Sequence, residues 1–338
     1  MRITLFLPHV GVFGGVRRFL ELGNVWAREG HRVTLHHPGG EPPGWLPFAG
    51  QVAPLDRAAA SESDLAIGAD PGTLDALLGH RAASHLYYCV IEGDPALARV
   101  LREPRVRLAA NSGALRRTLE RRSGRPVMDG VGGINPRQFH PDPALRAPTM
   151  RVLVNGRRSR PKKGTDLILR ALQGLERKHP LLEIVLFDTV SDQNRQDPRE
   201  GARLPAPARF VLNPTQEELV ALFQSSHLFV AAERKAGWCN TALEAMACGC
   251  AVVCTASGTQ DFARHEQNAL VTPRHPWFLR RAIHRLLADE ALRSRLGAAG
   301  PPTAELWTWE KLAHKLLDQI APPRAGEAGR ALNQRFGR

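Results

Sequence analysis

The sequence has no long hydrophobic run. Nowhere in its 338 residues do about 18 uncharged apolar residues follow one another, so the sequence predicts no transmembrane helix. The opening MRITLFLPHVG has an apolar stretch that is short and soon followed by glycine, which is atypical of a signal peptide. It is typical of a first β-strand, and we expect a cytoplasmic protein.

Cysteine is scarce, and its spacing does not suit a metal. Three of the five cysteines fall at the end of a predicted helix and in a strand, with no histidine pair nearby, so we predict no zinc site. No Asp-x-Asp pair occurs, so no metal clamp is implied either. We expect small buried thiols in a reducing compartment, with Cys239 lining a pocket. The cysteines are Cys89, Cys239, Cys248, Cys250 and Cys254.

Acidic residues are fewer than basic ones. The chain has 33 Asp and Glu against 46 Lys and Arg, a formal net charge of +13. This excess predicts an anionic partner, which could be a nucleic acid, a membrane surface or a phosphorylated ligand. With two tyrosines and no interleaved aromatic residues, the sequence lacks an RNA-binding signature, and we predict no nucleic-acid partner.

A dinucleotide fingerprint is missing too. The glycines of the loop Gly11–Gly15 do not have the spacing G-x-G-x-x-G, and the next strand ends in His36 and His37 instead of an acidic residue for a ribose hydroxyl. No Walker A sequence occurs. Glycines at a helix start would still let a phosphate approach backbone N–H groups.

The chain has two halves that begin alike. RITLFLP and MRVLVN are β-rich runs, each followed by a glycine-bearing loop and a helical pattern, which in series predicts parallel sheets with crossover helices. We predict an α/β protein of two Rossmann-like doubly wound domains facing each other across a cleft. The predicted parts are an N-terminal domain over 1–145, a second domain over 146–302, a helix over 303–320 and a loosely ordered tail over 321–338.

The loop GRRSRPKKG, which follows the first strand of the second half, concentrates five cations. A solvated basic loop is one interpretation. Cations just before a helix are unfavourable for the helix dipole unless an anion lies there, so the other interpretation is a diphosphate site. The cations are Arg157, Arg158, Arg160, Lys162 and Lys163.

A second loop breaks a buried strand before a short helix. Thr241 and Glu244 have capping-box spacing, which predicts that Thr241 caps the helix and that Glu244 is its third residue. The alternative is a phosphate cradle in the loop Gly237–Thr241, with Glu244 accepting from a sugar or ribose hydroxyl. Both can hold in part.

These segments, in this order, resemble the GT-B glycosyltransferases of family 4 (glycosyl transferases group 1), a retaining group that uses nucleotide-sugar donors. The resemblance covers residues 1 to about 320. It implies that 1–145 is an acceptor-side domain, that 146–302 is the nucleotide-sugar-binding domain and that 303–320 is a closing helix. It rests on GGVRRFLELGNVWAREGHRVTL, AANSGALRRTL, GGINPRQFHP, the Arg-x5-Lys-Gly spacing of GRRSRPKKG, the segment SSHLFVAAERKAGWCNTALEAMACGCAVVCT and WTWEKLAHKLL.

The resemblance implies roles for particular residues. Arg157 and Lys163 would bind the donor diphosphate, and Glu244 the ribose. The donor-binding residues would be Gly14, Gly15, Gly237, Trp238, Cys239, Asn240 and Thr241.

Two positions depart from the family pattern. The family has two glutamates separated by seven residues, and the first of them falls on Ala236 in this chain. Glu233 stands three positions early and would reach the donor only if the loop bulged. A family histidine is also unmatched, near Val90. We treat Glu92 and Asp94 as acceptor-side candidates, against the alternative that they only edge a loop.

The resemblance further implies retention of anomeric configuration by front-face departure of the nucleoside diphosphate, with no cofactor and no dedicated protein base. The acceptor would be a glycan or lipid-linked molecule of cell-surface polysaccharide synthesis. The alternative is a degenerate GT-B protein that binds nucleotide or glycan without catalysis.

Positive charge is concentrated between residues 99 and 125, which hold nine arginines and two acidic residues. One interpretation is a surface that docks on anionic lipid at the inner membrane face. The other is a solvated basic face.

Overall fold

The structure is a computed structural model that describes residues 1–190, 197–200, 204 and 208–320, so the tail predicted over 321–338 lies outside the described residues. The first half of the chain forms a seven-stranded sheet in the order β3-β2-β1-β4-β5-β6-β7, and neighbouring strands are parallel. The strands are β1 (Arg2–Phe6), β2 (Arg32–His37), β3 (Gln51–Pro54), β4 (Glu62–Gly68), β5 (Arg81–Cys89), β6 (Val106–Ala110) and β7 (Val127–Asp129).

The second half forms a six-stranded parallel sheet in the order β10-β9-β8-β11-β12-β13. The predicted α/β class with two doubly wound sheets is therefore confirmed. The strands are β8 (Met150–Asn155), β9 (Leu182–Asp188), β10 (Ala208–Leu212), β11 (Leu228–Ala231), β12 (Ala251–Cys254) and β13 (Leu270–Val271).

Helices connect the strands and cover the sheets. Central strands such as β1, β11 and β12 are buried on both faces, as parallel sheets under crossover helices require. The helices are α1 (Gly14–Arg28), α2 (Leu74–Gly79), α3 (Leu97–Val100), α4 (Gly113–Ser123), α5 (Thr165–Leu172), α6 (Gln216–Ser225), α7 (Asn240–Ala247), α8 (Pro276–Ala288), α9 (Glu290–Ala298), α10 (Gly300–Ala304) and α11 (Trp309–Ile320).

The strand order fixes where a ligand can bind. Strand order reverses beside β1 in the first sheet and beside β8 in the second, because each of these strands has neighbours on both sides that come later in the chain. Ligands of doubly wound sheets bind at the carboxyl ends of the strands at such switch points. The loops after β1 and β8 are the glycine loop and the basic loop that the sequence singled out.

The last described helix, α11, packs on the first sheet's side of the molecule. Trp309, Leu312 and Leu316 are buried in the same core as α1. The indole Nε1 of Trp26 donates to the carbonyl of Ala313 at 3.3 Å. The chain thus crosses from the second sheet back to the first, and its amphipathic pattern supplies the apolar face that this contact needs.

Candidate active site

The glycine loop Gly11–Gly15 and the start of helix α7 meet in the cleft between the two sheets. Gly14 begins α1 and Asn240 begins α7. A Cβ on Gly14 would lie 2.9 Å from the Asn240 side-chain nitrogen, so glycine permits this approach of the two halves. The two predicted donor-binding segments are therefore brought together across the cleft.

Arg157 lies beside this contact, just after β8. Its Nε donates to Oδ1 of buried Asp188 at 2.8 Å, and its guanidinium lies 5.3 Å from the ring centroid of Phe13. The carboxylate at the end of β9 and the ring of the glycine loop together fix the arginine at the cleft. These contacts use only some of the five N–H donors of the guanidinium. The others can bind an anion.

Lys163 ends the same loop, in a short 3₁₀ turn over Pro161–Lys163. Its Nζ donates to Oε1 of Glu233 at 2.6 Å. Burial is the largest single influence and would lower the pKa of Lys163, but the charge of Glu233, the nearby Cys239 and the hydrogen bond to Glu233 together raise it. Lys163 is therefore a cation at the cleft, with its side chain 31% exposed.

Glu233 reaches the cleft although it precedes the family position by three residues. It is 7% exposed, and its backbone carbonyl accepts from Oγ1 of Thr255 at 2.9 Å. The chain then turns through the left-handed region at Lys235, with φ 57°, before Ala236. The carboxylate absent at Ala236 thus has a counterpart at Glu233, beside Lys163.

Glu244 lies inside α7 and not in its first turn. The helix begins at Asn240 with Cys239 as N-cap, and no side chain caps it, so the predicted capping box at Thr241 is wrong. Because the helix begins at Asn240, Glu244 is its fifth residue, two positions past the predicted third. Burial raises the pKa of Glu244, and the charges of Arg17 and Lys163 offset this in part. A buried carboxylate of this kind accepts hydrogen bonds from a ligand hydroxyl well.

A cavity of about 160 Å³ lies between Arg157 and Glu244. Arg17 enters it from α1, with its guanidinium 5.4 Å from the ring centroid of Trp45, and donates to Oε1 of Gln216 in the other half. Trp238 and Thr241 also line this cavity. Sequence analysis missed Arg17, although a cation in the first turn of a helix is the same signal that marked the basic loop.

A second cavity of about 560 Å³ adjoins the first and is lined by both halves. Gly15, Gly237 and Asn240 contribute to it, as do Lys163 and Glu233. His9 and Asn111 line it from the first half and were not predicted. The Asn111 Oδ1 is buried against Gly237 and has no hydrogen-bond partner among the described residues.

Loops of the first half also contact loops of the second half directly. Ile91 and Ala236 form an isolated antiparallel β-bridge, and the backbone N–H of Gly113 donates to both carboxylate oxygens of Asp261 at 3.2 and 3.1 Å. The cleft in this structure is therefore closed at one side by one backbone bridge and one contact between a backbone N–H and a carboxylate.

Three candidate residues lie away from these cavities. Asp94 is buried and accepts from the hydroxyl of Tyr87 at 2.7 Å and from the N–H of Ala96 at 2.8 Å, so it orders the loop after β5. Glu92 is exposed and lines neither cavity. Cys239 is buried behind the cleft, where its Sγ donates to Oε1 of Glu233 at 3.4 Å, and burial raises its pKa. These positions suit supporting roles.

The described residues also bear on membranes and metals. In the described part of the chain no helix combines the length and apolarity needed to cross a bilayer. Within the same part, no three His, Cys, Asp or Glu side chains cluster in a way that could hold a metal ion. The described cysteines are buried and unpaired.

Comparison with known proteins gives a family for the second half. The family model described as glycosyl transferases group 1 matches residues 137–302. D-inositol 3-phosphate glycosyltransferases from Salinispora tropica and Streptomyces bingchenggensis are 28% and 29% identical over 173 and 181 residues. These matches cover 48% and 50% of this chain but 36% and 40% of the relatives, so the chain aligns with well under half of their length.

Solved structures extend the likeness to the whole fold. HepE from Anabaena, in complex with UDP and glucose, has a TM-score of 0.76 at 14% identity over 95% of this chain and 99% of its own. Sucrose-phosphate synthase from Thermosynechococcus elongatus has a TM-score of 0.71 at 18% identity over 99% of each chain. At such identities the comparison establishes the GT-B fold. Residues 137–302 thus match the glycosyl transferases group 1 family, and the chain has the GT-B fold of these solved structures.

Proposed function

We propose that the protein is a retaining glycosyltransferase that moves a sugar from a nucleoside-diphosphate donor to a glycan or lipid-linked acceptor in cell-surface polysaccharide synthesis. The observation that carries this proposal is the convergence of Arg157 and Lys163 at the start of α7, opposite the glycine at the start of α1. Two cations and a helix start at one point form a site for a diphosphate.

The two cavities divide the donor between them. The smaller cavity, between Trp45 and Glu244, suits a nucleoside, with the carboxylate of Glu244 accepting from ribose hydroxyls. The larger cavity suits the transferred sugar and the acceptor. HepE binds UDP and glucose, by its description, which supports UDP as the first nucleotide to test.

The chemistry follows from charge stabilisation. The bond between the anomeric carbon and the diphosphate oxygen breaks, and its electron pair moves onto the diphosphate. Arg157 and Lys163 stabilise that developing charge with preorganised N–H donors. The acceptor oxygen bonds to the same face of the anomeric carbon, which retains its configuration, and the hydroxyl proton passes to the departing phosphate oxygen. This chain then needs no side chain as general base.

A ligand panel tests the donor assignment. We expect UDP or another nucleoside diphosphate to raise the melting temperature, because a ligand at 100 times its Kd adds about 2.7 kcal/mol to the free energy of unfolding. NMR of the products then gives the anomeric configuration. A panel of UDP, GDP, ADP and their sugars without any shift would remove the proposal.

Ala236 favours a second candidate, a non-catalytic GT-B protein that binds a nucleotide or glycan as a partner. The family's first glutamate is absent there. The retention of Arg157, Lys163 and Glu244 supports catalysis instead. Slow hydrolysis of nucleotide sugars in the absence of acceptor separates the two, since the non-catalytic protein would bind without turnover.

The membrane surface is the remaining part of the proposal. A lipid-linked acceptor would bring the enzyme to the cytoplasmic face of the inner membrane, where anionic lipid attracts basic surfaces. The arginines on and around α4 support a peripheral association of this kind.

A further inference from the structure

Four exposed cations border the larger cavity without neutralising partners. They come from two loops of the second half, the basic loop after β8 and the loop after β11. No salt bridge to any of them occurs within the described ranges of the chain. We call them the cationic rim, and they are Arg160, Lys162, Arg234 and Lys235.

The backbone holds the two loops of the cationic rim together. The N–H of Arg234 donates to the carbonyl of Lys162 at 2.8 Å. Arg274 spans both loops, because its Nε donates to the carbonyl of Ala232 at 2.8 Å and its Nη2 to that of Pro161 at 3.1 Å. The fold therefore holds the backbones of the two loops together, and the four side chains are exposed.

This arrangement concentrates like charge. Seven of the residues lining the larger cavity are Lys or Arg, and two are acidic. Both acidic side chains already have partners: Glu233 pairs with Lys163, and Oδ1 of Asp70 accepts from the N–H of Gly72 at 2.8 Å. Burial and the nearby charge of Arg234 lower the pKa of Arg274. Mutual repulsion of this kind is relieved when an anion lies among the cations.

The donor diphosphate does not account for the cationic rim. Arg157 and Lys163 border the smaller cavity as well as the larger one, whereas none of the four rim residues lines the smaller cavity. The rim therefore borders the part of the cleft that is left for the sugar and the acceptor, and Arg160 and Arg234 also line a third cavity of about 270 Å³ at the start of α5. Backbone strain at Lys235, with φ 57°, also falls in this loop, and strain of this kind is retained where a site needs it.

We infer that the larger cavity takes a substrate with an anionic group of its own, a phosphate or a carboxylate, which the cationic rim binds in addition to the donor diphosphate. The inference rests on the proposed function. The anionic group has two possible sources, a phosphate on the acceptor or a carboxylate on the transferred sugar. Both present oxygen acceptors to the same guanidinium and ammonium donors.

Inorganic phosphate tests the rim while UDP occupies the donor site. The variant is Arg160→Gln with Lys235→Gln, and the matched control, Arg177→Gln with Lys178→Gln, removes the same charge from an exposed site outside both cavities. We expect phosphate to bind the UDP complex of the wild type and of the control, and roughly tenfold or more weakly to the rim variant. Titration calorimetry at 0.15 M salt measures both ligands.

The UDP titration separates the two proposals. Absence of UDP binding to the wild type would remove the proposed function, whatever phosphate does. Normal UDP binding to all three proteins, with equal phosphate binding to the wild type and the rim variant or none to either, would overturn the cationic rim as an anion site.

A second pair of ligands identifies the source of the anion. If the transferred sugar carries it, UDP-glucuronate binds the wild type more tightly than UDP-glucose, and the rim variant loses that preference. If the acceptor carries it, the two donors bind alike, and glycerol 3-phosphate binds the UDP complex while glycerol does not. If the wild type prefers neither UDP-glucuronate to UDP-glucose nor glycerol 3-phosphate to glycerol, the inference is contradicted.

Discussion

The ion pair between Lys163 and Glu233 leaves the lysine with unused donors. An ammonium group has three N–H donors, and one of them is directed at Oε1 of Glu233. The remaining donors are at the cleft, where the side chain is partly exposed. The carboxylate thus orients the cation without neutralising its capacity to bind a diphosphate.

Lys163→Ala tests that role directly. We expect kcat/KM to fall about tenfold or more, equivalent to about 1.4 kcal/mol, because a cation that stabilises the departing diphosphate is lost. Steady-state kinetics with a nucleotide-sugar donor measures it. The matched control is Lys178→Ala, an exposed lysine outside both cavities, for which we expect unchanged kinetics. Unchanged turnover in Lys163→Ala would remove the diphosphate assignment.

Glu233→Gln, alone and with Lys163→Ala, shows whether the pair acts as a unit. We expect the double variant to lose less activity than the two single losses combined, since each single change also leaves an uncompensated partner. Additive losses would mean that the 2.6 Å contact has no functional consequence.

Glu244 illustrates the conflict between stability and ligand binding. Burial raises its pKa in the folded state above the ordinary value of 4.5. At pH values between 4.5 and this raised pKa, the folded state therefore binds more protons than the unfolded state. The free energy of unfolding therefore falls as pH rises through this window, and the ionised carboxylate remains a cost above it.

For Glu244→Gln we therefore expect two opposite effects. The ligand-free variant should be at least as stable as the wild type at pH 7, and its advantage should shrink as the pH falls toward 4.5. Its affinity for the nucleoside diphosphate should fall, because a ribose hydroxyl loses a charged acceptor. Denaturant unfolding across pH and calorimetric titration measure these effects.

The exposed Glu217→Gln is the control, and a Glu244→Gln protein that binds the nucleotide with unchanged affinity would refute the ribose assignment.

Among the elements, the loop between β11 and α7 makes the direct contact of the second half with the first. Gly237 packs so closely on the first half that a Cβ there would lie 2.0 Å from Oδ1 of Asn111 and 2.6 Å from the carbonyl of Val90. Backbone atoms cannot move aside cheaply, so any side chain at this position would separate the Ile91–Ala236 bridge.

Gly237→Ala should accordingly open the cleft. We expect a larger radius of gyration by small-angle X-ray scattering with UDP bound, and a kcat/KM reduced about tenfold or more because the catalytic groups of the two halves no longer meet. Gly79→Ala is the matched control, since a Cβ there meets no atom within 4 Å. Wild-type scattering and kinetics in Gly237→Ala would show that the bridge is incidental.

Sequence patterns found the elements that carry their own signal. The β-rich runs of β1 and β8 were predicted, because parallel strands buried on both faces are largely apolar. The short strands β3, β7 and β13 were not, since four, three and two residues carry no periodicity and form only by pairing with a neighbour.

The site was predictable to the extent that it is local in sequence. The basic loop and the loop Gly237–Thr241 were visible as compact clusters. Arg17 and Asn111 were missed because they reach the cleft only once the two halves pack together. The role of Glu233 depended on a bulge in the loop, because only the register along the chain can be counted from the sequence, whereas the turn through Lys235 determines where the carboxylate lies. The start of α7 was misplaced for the related reason that backbone geometry, not the Thr241 hydroxyl, sets it.

For the whole molecule, the distribution of charge is the remaining question. Several of the arginines between residues 99 and 125 are engaged within the fold: Arg99 pairs with Asp75 at 2.6 Å, and Arg107 donates to the carbonyl of Gln319 at 2.9 Å. The leucines of α4, Leu115 and Leu119, are buried in the core. Docking on a membrane would therefore be electrostatic, without insertion of an apolar face.

Electrostatic docking needs exposed cations. Arg121 and Arg122, which are exposed near the end of α4, are therefore the first residues to test. We expect the wild type to sediment with anionic liposomes and not with neutral ones, and Arg121→Gln with Arg122→Gln to bind roughly fivefold more weakly per cation removed. The same charge removed at Arg177 and Lys178 should have a smaller effect, because only a clustered basic face lies within the short range of the surface potential. Equal sedimentation with both kinds of liposome would end the docking proposal, and the net charge would then serve soluble anionic substrates alone.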